Sequence, residues 1–320
     1  MKKKIKKNNL NLSCAKCSSP ACVGSGPLAR CEKHFLEDFD SHVRNAVREY
    51  HMIKPNEKVA VALSGGKDST VMLHQLVQLS KRLPMRLIAI LVDEGIADYR
   101  APTIAVAKKE CKKLRVPLHI VSFKSEFGLS LDSMLKKKGQ AGACSFCGVF
   151  RRQLLQKAAR RLKADKLALG HNLDDAAQTV LLNLYRNEPA RLARFWPITE
   201  SEDKKQHFVP RIRPLIRCSE KEVALWAALN SVPIHYGACP YAVEAMRQTV
   251  RAQLNQMEDR YPGTKVRIFN AFVKMRKGLV KAVEAGFSSS LSVCPQCGEI
   301  SSGGFCGACR MLEKLKSGKK

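Results

Sequence analysis

Residues Lys58–Leu63 (KVAVAL) form an apolar run that breaks directly into Ser64-Gly65-Gly66-Lys67-Asp68-Ser69-Thr70, and a helix-forming stretch follows. Few folds accommodate that order. A strand this apolar is buried on both faces, as in the middle of a parallel sheet. Two adjacent glycines let the chain turn sharply and bring its backbone close to a ligand. The helix that opens after them offers free N–H groups and a positive dipole end, which suit a phosphate. Lys67 and the hydroxyls of Ser64, Ser69 and Thr70 are further donors. The spacing is neither a Walker loop nor a dinucleotide fingerprint.

The alternation continues downstream. Arg86–Val92, Pro117–Phe123 and Lys166–Gly170 read as strands, with helices expected over Ser69–Lys81, Thr103–Leu114, Arg151–Leu162 and Asp174–Arg186. This predicts an α/β fold whose parallel sheet is covered on both sides and binds ligands at the carboxyl ends of its strands. Val92-Asp93-Glu94-Gly95 and Gly170-His171-Asn172-Leu173-Asp174-Asp175 fall at such ends. The two aspartates complement a helix dipole or, in this setting, position Mg2+ with a nucleotide.

Lys and Arg number 56 against 28 Asp and Glu, a formal charge of +28. That excess favours polyanions, so nucleic acid is the expected partner. No run reaches the ~20 apolar residues of a membrane helix. The lysines at 2, 3, 4, 6 and 7 lead into asparagines rather than a secretory core. A cytoplasmic protein with no membrane partner and a solvated lysine tail is expected. In that reducing compartment thirteen cysteines point to metal rather than to disulfides.

Cys294-x-x-Cys297 and Cys306-x-x-Cys309, separated by eight residues rich in glycine, predict a zinc ribbon. Cys14, Cys17, Cys31 and His34 predict a second closed zinc site, with Cys22 able to replace Cys31 in another register. Cys144 and Cys147 form a C-x-x-C before a basic helix with Arg151, Arg152, Lys157, Arg160, Arg161 and Lys163. A redox dithiol, a zinc site and an iron–sulfur cluster are open readings of those two thiols. The basic helix is expected to turn a continuous cationic face toward RNA. Cys111 and Cys218 read as small buried hydrophobes.

SGGKDS between strand and helix resembles the PP-loop of the N-type ATP pyrophosphatases (adenine nucleotide alpha hydrolase-like), which split ATP into AMP and pyrophosphate while adenylating a substrate. The resemblance implies Mg2+ and ATP held by Ala62, Leu63, Ser64, Gly65, Gly66, Lys67, Asp68, Ser69, Val92, Arg151, Gly170 and Asp175. Cys144, Cys147 and Cys239 match the three cysteines that hold a 4Fe–4S cluster in the TtcA/TtuA family of tRNA thiolases, and the segment from Gly170 to Asp175 resembles a motif of its members. Around Cys147, Cys239 and Cys309 the chain is similar to the cytoplasmic and archaeal wobble-uridine 2-thiolation proteins of that family.

A tRNA-uridine 2-sulfurtransferase is therefore implied: AMP is transferred to the uridine O2, and sulfide held at an open iron displaces it. Asp68, Cys144, Cys147, Cys239 and Asp175 are the implied catalytic residues. The sulfur donor would be a ubiquitin-like thiocarboxylate protein or free sulfide, and the protein a possible homodimer. The alternatives are 2-thiolation of a T-loop uridine, or a PP-loop ligase using a cysteine persulfide without iron. Three units are expected: tail and zinc finger over 1–38, the PP-loop thiolation domain over 39–288, and the ribbon over 289–320.

Overall fold

Helix α1 (Glu32–Glu49) buries Phe35, Phe39, Val43, Ala46 and Val47, a stripe at helical spacing, against the same core that receives one face of the central strand. That strand, β1 (Lys58–Ala62), sends Val59 and Val61 into this core and Ala60 into a second one on the opposite side. A period of two with both faces buried explains the unbroken apolar run. A computed structural model describes residues 13–139, 142–199, 208–235, 237, 239–241, 246–286, 292–301 and 303–317; the lysine tail lies outside them.

From β1 the chain passes through α2 (Lys67–Ser80), β2 (Arg86–Asp93), α3 (Arg100–Leu114), β3 (Leu118–Ser122), α4 (Phe123–Phe127) and α5 (Leu131–Lys138). It continues through α6 (Ala143–Arg161), β4 (Lys166–Ala168), α7 (Leu173–Tyr185), α8 (Pro189–Ala193), β5 (Ile198–Thr199), β6 (Arg211–Ile212) and α9 (Glu220–Leu229). The long helices α10 (Met246–Arg260) and α11 (Thr264–Gly286) follow. A small hairpin of β7 (Ser292–Val293) and β8 (Ile300–Ser301) then leads into α12 (Gly307–Ser317).

The main sheet has the order β3-β2-β1-β4-β6-β5, parallel throughout except for the last pair. The chain builds outward from β1 to β3 on one side, then returns to place β4 on the other. Such a reversal opens a crevice at the carboxyl ends of the two strands where it occurs. Both sequence motifs border it, the glycine loop after β1 and the Gly170–Asp175 segment after β4.

Three elements differ from expectation. β3 ends at Ser122 because its hydroxyl accepts the Ser125 N–H and caps α4, so Phe123 starts a helix. Helix α6 begins at Ala143 rather than Arg151, since Ala143, Phe146, Phe150 and Leu154 share one buried face. The C-x-x-C is therefore part of the helix. β4 ends at Ala168, two residues early, and the segment after it bends over α2. Helix α1 also runs unbroken through residue 38, where a domain division was expected. Among the described residues, no helix is long and apolar enough to cross a membrane.

Gly170 marks the tightest point of the crevice. A Cβ there would stand 2.9 Å from the Ser69 nitrogen, closer than packed atoms tolerate. Gly170→Ala should lower the unfolding free energy by roughly 1–3 kcal/mol, the range for overpacking. Urea titration checks this, and an unchanged midpoint would refute the contact.

Candidate functional site

The glycine loop is held by its own side chains. Ser69 Oγ accepts the Ser64 N–H at 3.0 Å, and the hydroxyls of Ser69 and Thr70 both donate to the Gly66 carbonyl at 3.0 Å. Those two hydroxyls, expected to serve a ligand, hold the turn. Gly66 caps α2 without any side-chain hydrogen bond, so the first-turn N–H groups are left for an anion. Gly65 has φ +83°, a conformation that favours glycine. Below the loop, buried Glu94 pairs with Arg100 at 2.8 Å, and Arg100 donates to the carbonyls of Ser64 and Val92.

Lys67 also departs from expectation. It donates to Asp68 at 3.0 Å and to Glu220 at 2.8 Å instead of lining the crevice. Burial works against its charge, but Asp68 and Glu220 outweigh that and raise its pKa. Asp68 in turn accepts from Asn172 at 3.0 Å. The two aspartates of α7 part company. Asp174 is buried and accepts from Lys265 and from the Glu220 N–H, so the expectation that both position a metal is not met. Asp175 alone faces the crevice; burial pushes its carboxyl up against the lowering effects of the Asn172 N–H and Arg247.

The crevice is a cavity of about 610 Å³. Ala62, Leu63, Ser64, Gly66, Asp68, Ser69, Val92, Arg151, Gly170 and Asp175, all expected to bind ATP, line it. Cys144 lines the same cavity. Gly65, Lys67, Cys147 and Cys239 are not on its wall. Five cavity arginines carry no cavity role in the sequence reading: Arg100, Arg152 (noted only for its helix), Arg211, Arg213 and Arg247. The spacing Arg211-x-Arg213 is that of one strand face and was the available signal, but a two-residue strand shows no periodicity. His171 also faces the cavity, where desolvation in the crevice and the charges of Arg213, Arg247, Arg151 and Arg211 lower its pKa although the ring is exposed.

Cys144 and Cys147 occupy the first turns of α6, and Cys239 lies in the loop after α9. Cys144 Sγ is 3.2 Å from the Tyr241 carbonyl, while Tyr241 Oη donates to Asp132 at 2.8 Å and fixes that loop against α5. The three thiols lie in one neighbourhood, close enough for Cys144 and Cys239 to influence Cys147 electrostatically and for Cys144 to influence Cys239. Burial drives Cys147 up to about 12, with Arg151 opposing.

Two tighter groups stand apart. Cys14, Cys17, Cys31 and His34 form one, and Cys294, Cys297, Cys306 and Cys309 the other, with all ligand atoms of each within 4.8 Å of one another. A tetrahedral ion bonded to sulfur at about 2.3 Å sets two sulfurs roughly 3.8 Å apart. The Cys17–Cys31 and Cys297–Cys306 sulfurs are 3.7 and 3.6 Å apart. Both sets thus have the size of a closed zinc site. Cys31 completes the first, and exposed Cys22 stays outside it. Cys144, Cys147 and Cys239 do not form a group as tight as either set.

Past the thiols, α6 does not present the expected continuous cationic face. Lys157 and Arg161 pair with Glu126 and Arg160 with Glu299, so three of its cations are spent on packing. Gln153 donates to Cys297 at 3.3 Å and to Cys306 at 3.7 Å, joining the helix to the ribbon. Arg151 and Arg152 remain on the cavity side.

The PP-loop domain family matches residues 35–258. The tRNA 2-thiolation protein NcsA of Haloferax volcanii is 32% identical over 320 residues, covering 96% of this chain and all (100%) of that one. The chain belongs to the tRNA 2-thiolation branch of the PP-loop family. Cytoplasmic tRNA 2-thiolation protein 1 of Anopheles gambiae is 35% identical over 291 residues, 90% of this chain and 83% of that protein. In three dimensions the U34-tRNA thiolase NcsA from Methanococcus maripaludis, solved with its [4Fe-4S] cluster, matches with a TM-score of 0.80. That match has 32% identity and covers 96% of this chain and 97% of the other. The resemblance read from the PP-loop and cysteine motifs is thereby borne out.

His171 carries the clearest pH signature of this PP-loop protein. Its native pKa lies below the unfolded value, which is near 6.5. The unfolded chain alone therefore takes up this proton as pH falls below neutral, and stability is lost in that window. His171→Gln should flatten the decline in melting temperature between about pH 7 and 4. In the parent protein the His171 ring resonances should titrate in NMR spectra with a midpoint below that of an unfolded histidine; a midpoint at or above about 6.5 contradicts the assignment.

Proposed function

We propose that this chain is an ATP-dependent tRNA-uridine 2-sulfurtransferase acting on the wobble uridine. One observation carries the reading: the PP-loop and Cys144 of the three-thiol group are walls of a single cavity. Activation of a base and delivery of sulfur to it need that proximity. The named activities of the relatives, tRNA 2-thiolation and U34-tRNA thiolation, support it.

The residues divide the work. First-turn N–H groups of α2 hold the ATP phosphates, and Arg151 adds positive charge as the uridine O2 attacks the α-phosphorus and pyrophosphate departs from that phosphorus. Asp68, fixed by Asn172, and Asp175 are the carboxylates available to Mg2+. Cys144, Cys147 and Cys239 fit a 4Fe–4S cluster as its three ligands; when bound, it supplies a metal-activated sulfur. Zinc fits the two closed sets, holding α1 and α12 against the core. A net charge of +28 suits the RNA substrate. A cytoplasmic site of action follows from the Anopheles gambiae relative's name.

Anaerobic reconstitution followed by nucleoside mass spectrometry tests the reading. Cys239→Ala should abolish 2-thiouridine while ATP binding stays within about twofold of the parent; persistence of thiolation would remove the cluster from the reaction. Metal analysis tests the zinc assignment. Cys31→Ser should cost one equivalent of zinc and Cys22→Ser none, whereas equal losses would overturn the ligand set.

A further inference from the structure

The cavity has a second cationic wall that the ATP site does not account for. Arg211 and Arg213 lie at and just past β6, and Arg152 faces the same cavity from α6. In the strand order β2-β1-β4-β6, that wall is two strands away from the β1 end where the glycine loop sits, a lateral offset of about 10 Å.

Its cations are placed at a cost. Among the described residues no carboxylate lies within ion-pair distance of Arg152, Arg211 or Arg213, whereas Arg100 and Arg151 share Glu94 and Arg247 approaches Asp175. Arg213 is only 8% exposed, and its Nε and that of Arg211 are buried without a hydrogen-bond partner. Arg213 is steadied by the Trp196 carbonyl, the Thr199 hydroxyl and the Phe195 ring, and Arg211 by the Phe208 ring. These contacts aim the guanidiniums without neutralising them. Burial and a neighbouring arginine lower the pKa of each to about 10, with Asp175 only partly opposing at Arg213. A fold that gathers three mutually repelling cations around a cavity is preorganised for an anion.

We propose that Arg152, Arg211 and Arg213 form a second anion subsite that takes a phosphodiester of the RNA strand beside the base being modified. The inference rests on the thiolase reading above and adds to it how the target nucleotide is held. A base lifted out of a loop brings its flanking phosphates with it, and a guanidinium fork binds such a group through two parallel hydrogen bonds. The other source of the same chemistry is the nucleotide's own phosphates.

Full-length, metal-loaded protein carrying Arg211→Gln or Arg152→Gln separates the two sources. Binding of unmodified tRNA is measured across a salt series, and ATP binding by calorimetry. For Arg211→Gln the expected result is roughly tenfold weaker tRNA binding, with the slope of log K against log salt shallower by about 0.7, one single-strand phosphate contact. ATP affinity should stay within about twofold, and the melting temperature should match or exceed the parent's because a repulsion is relieved. Arg211→Lys should restore the salt slope. Weakened ATP binding with unchanged tRNA binding assigns the wall to the nucleotide and overturns the proposal. A lowered melting temperature with both affinities intact makes the arginine structural and also overturns it. Parent protein that binds no tRNA sinks the thiolase reading itself, a result distinct from failure of the subsite alone.

Discussion

The buried Glu94–Arg100 pair holds the site together. Arg100 opens α3, yet its guanidinium reaches the carbonyls of Ser64 at the end of β1 and Val92 at the end of β2, with Glu94 2.8 Å away. Two adjacent strand ends are thereby fixed to each other at the point where the sheet opens. Breaking such a buried pair from one side costs about 3–5 kcal/mol, because a charge is left uncompensated. Glu94 also faces Arg151 at 3.8 Å, so α6 is tied to the same anchor. The shape of the phosphate cradle is thus set one layer beneath it, which leaves the loop backbone free for ligand.

Helix α6 links three functions that the chain encodes far apart. Its first turns carry Cys144 and Cys147, its next turn places Arg151 and Arg152 on the cavity, and its later turns hold the C-terminal ribbon through Gln153 and Arg160. A helix is stiff along its axis, so the packing of the ribbon is transmitted to the thiols as position. The ribbon thus fixes where the thiols of α6 sit without touching them, as outer hydrogen bonds orient a site's reactive groups. It explains why the cations of α6 are spent on Glu126 and Glu299 rather than turned to solvent.

What the sequence made legible follows the range over which each signal acts. The strand, turn and helix around SGGKDS are local and were read correctly, as were the two closed cysteine sets, whose spacing is itself the geometric constraint. Arg211 and Arg213 give no clear sequence signal because a two-residue strand carries no periodicity and their partners, Phe195 and Phe208 among them, are assembled by the fold. Helix α6 extends further back than the helix expected from Arg151, because Phe146 and Phe150 pack as a continuation of its apolar face. The partners of Lys67 are hidden from the sequence for a related reason. Glu220 is 153 residues away in sequence, and no local pattern announces that it reaches the glycine loop.

The adjacent aspartates of α7 show how one short motif serves both stability and chemistry. Residues one apart on a helix point about 100° away from each other, so Asp174 and Asp175 cannot share a ligand. Asp174 turns inward to Lys265 of α11 and to the first N–H of α9, closing the late helices onto the site. Asp175 turns to the cavity and closes a capping box with Asn172, the residue that also holds Asp68. The inward aspartate positions Glu220, and Glu220 then takes Lys67 together with Arg251. The lysine of the glycine loop is therefore balanced by two carboxylates. An incoming phosphate meets backbone N–H groups and arginines first, so affinity at this loop rests on geometry that the fold has already fixed.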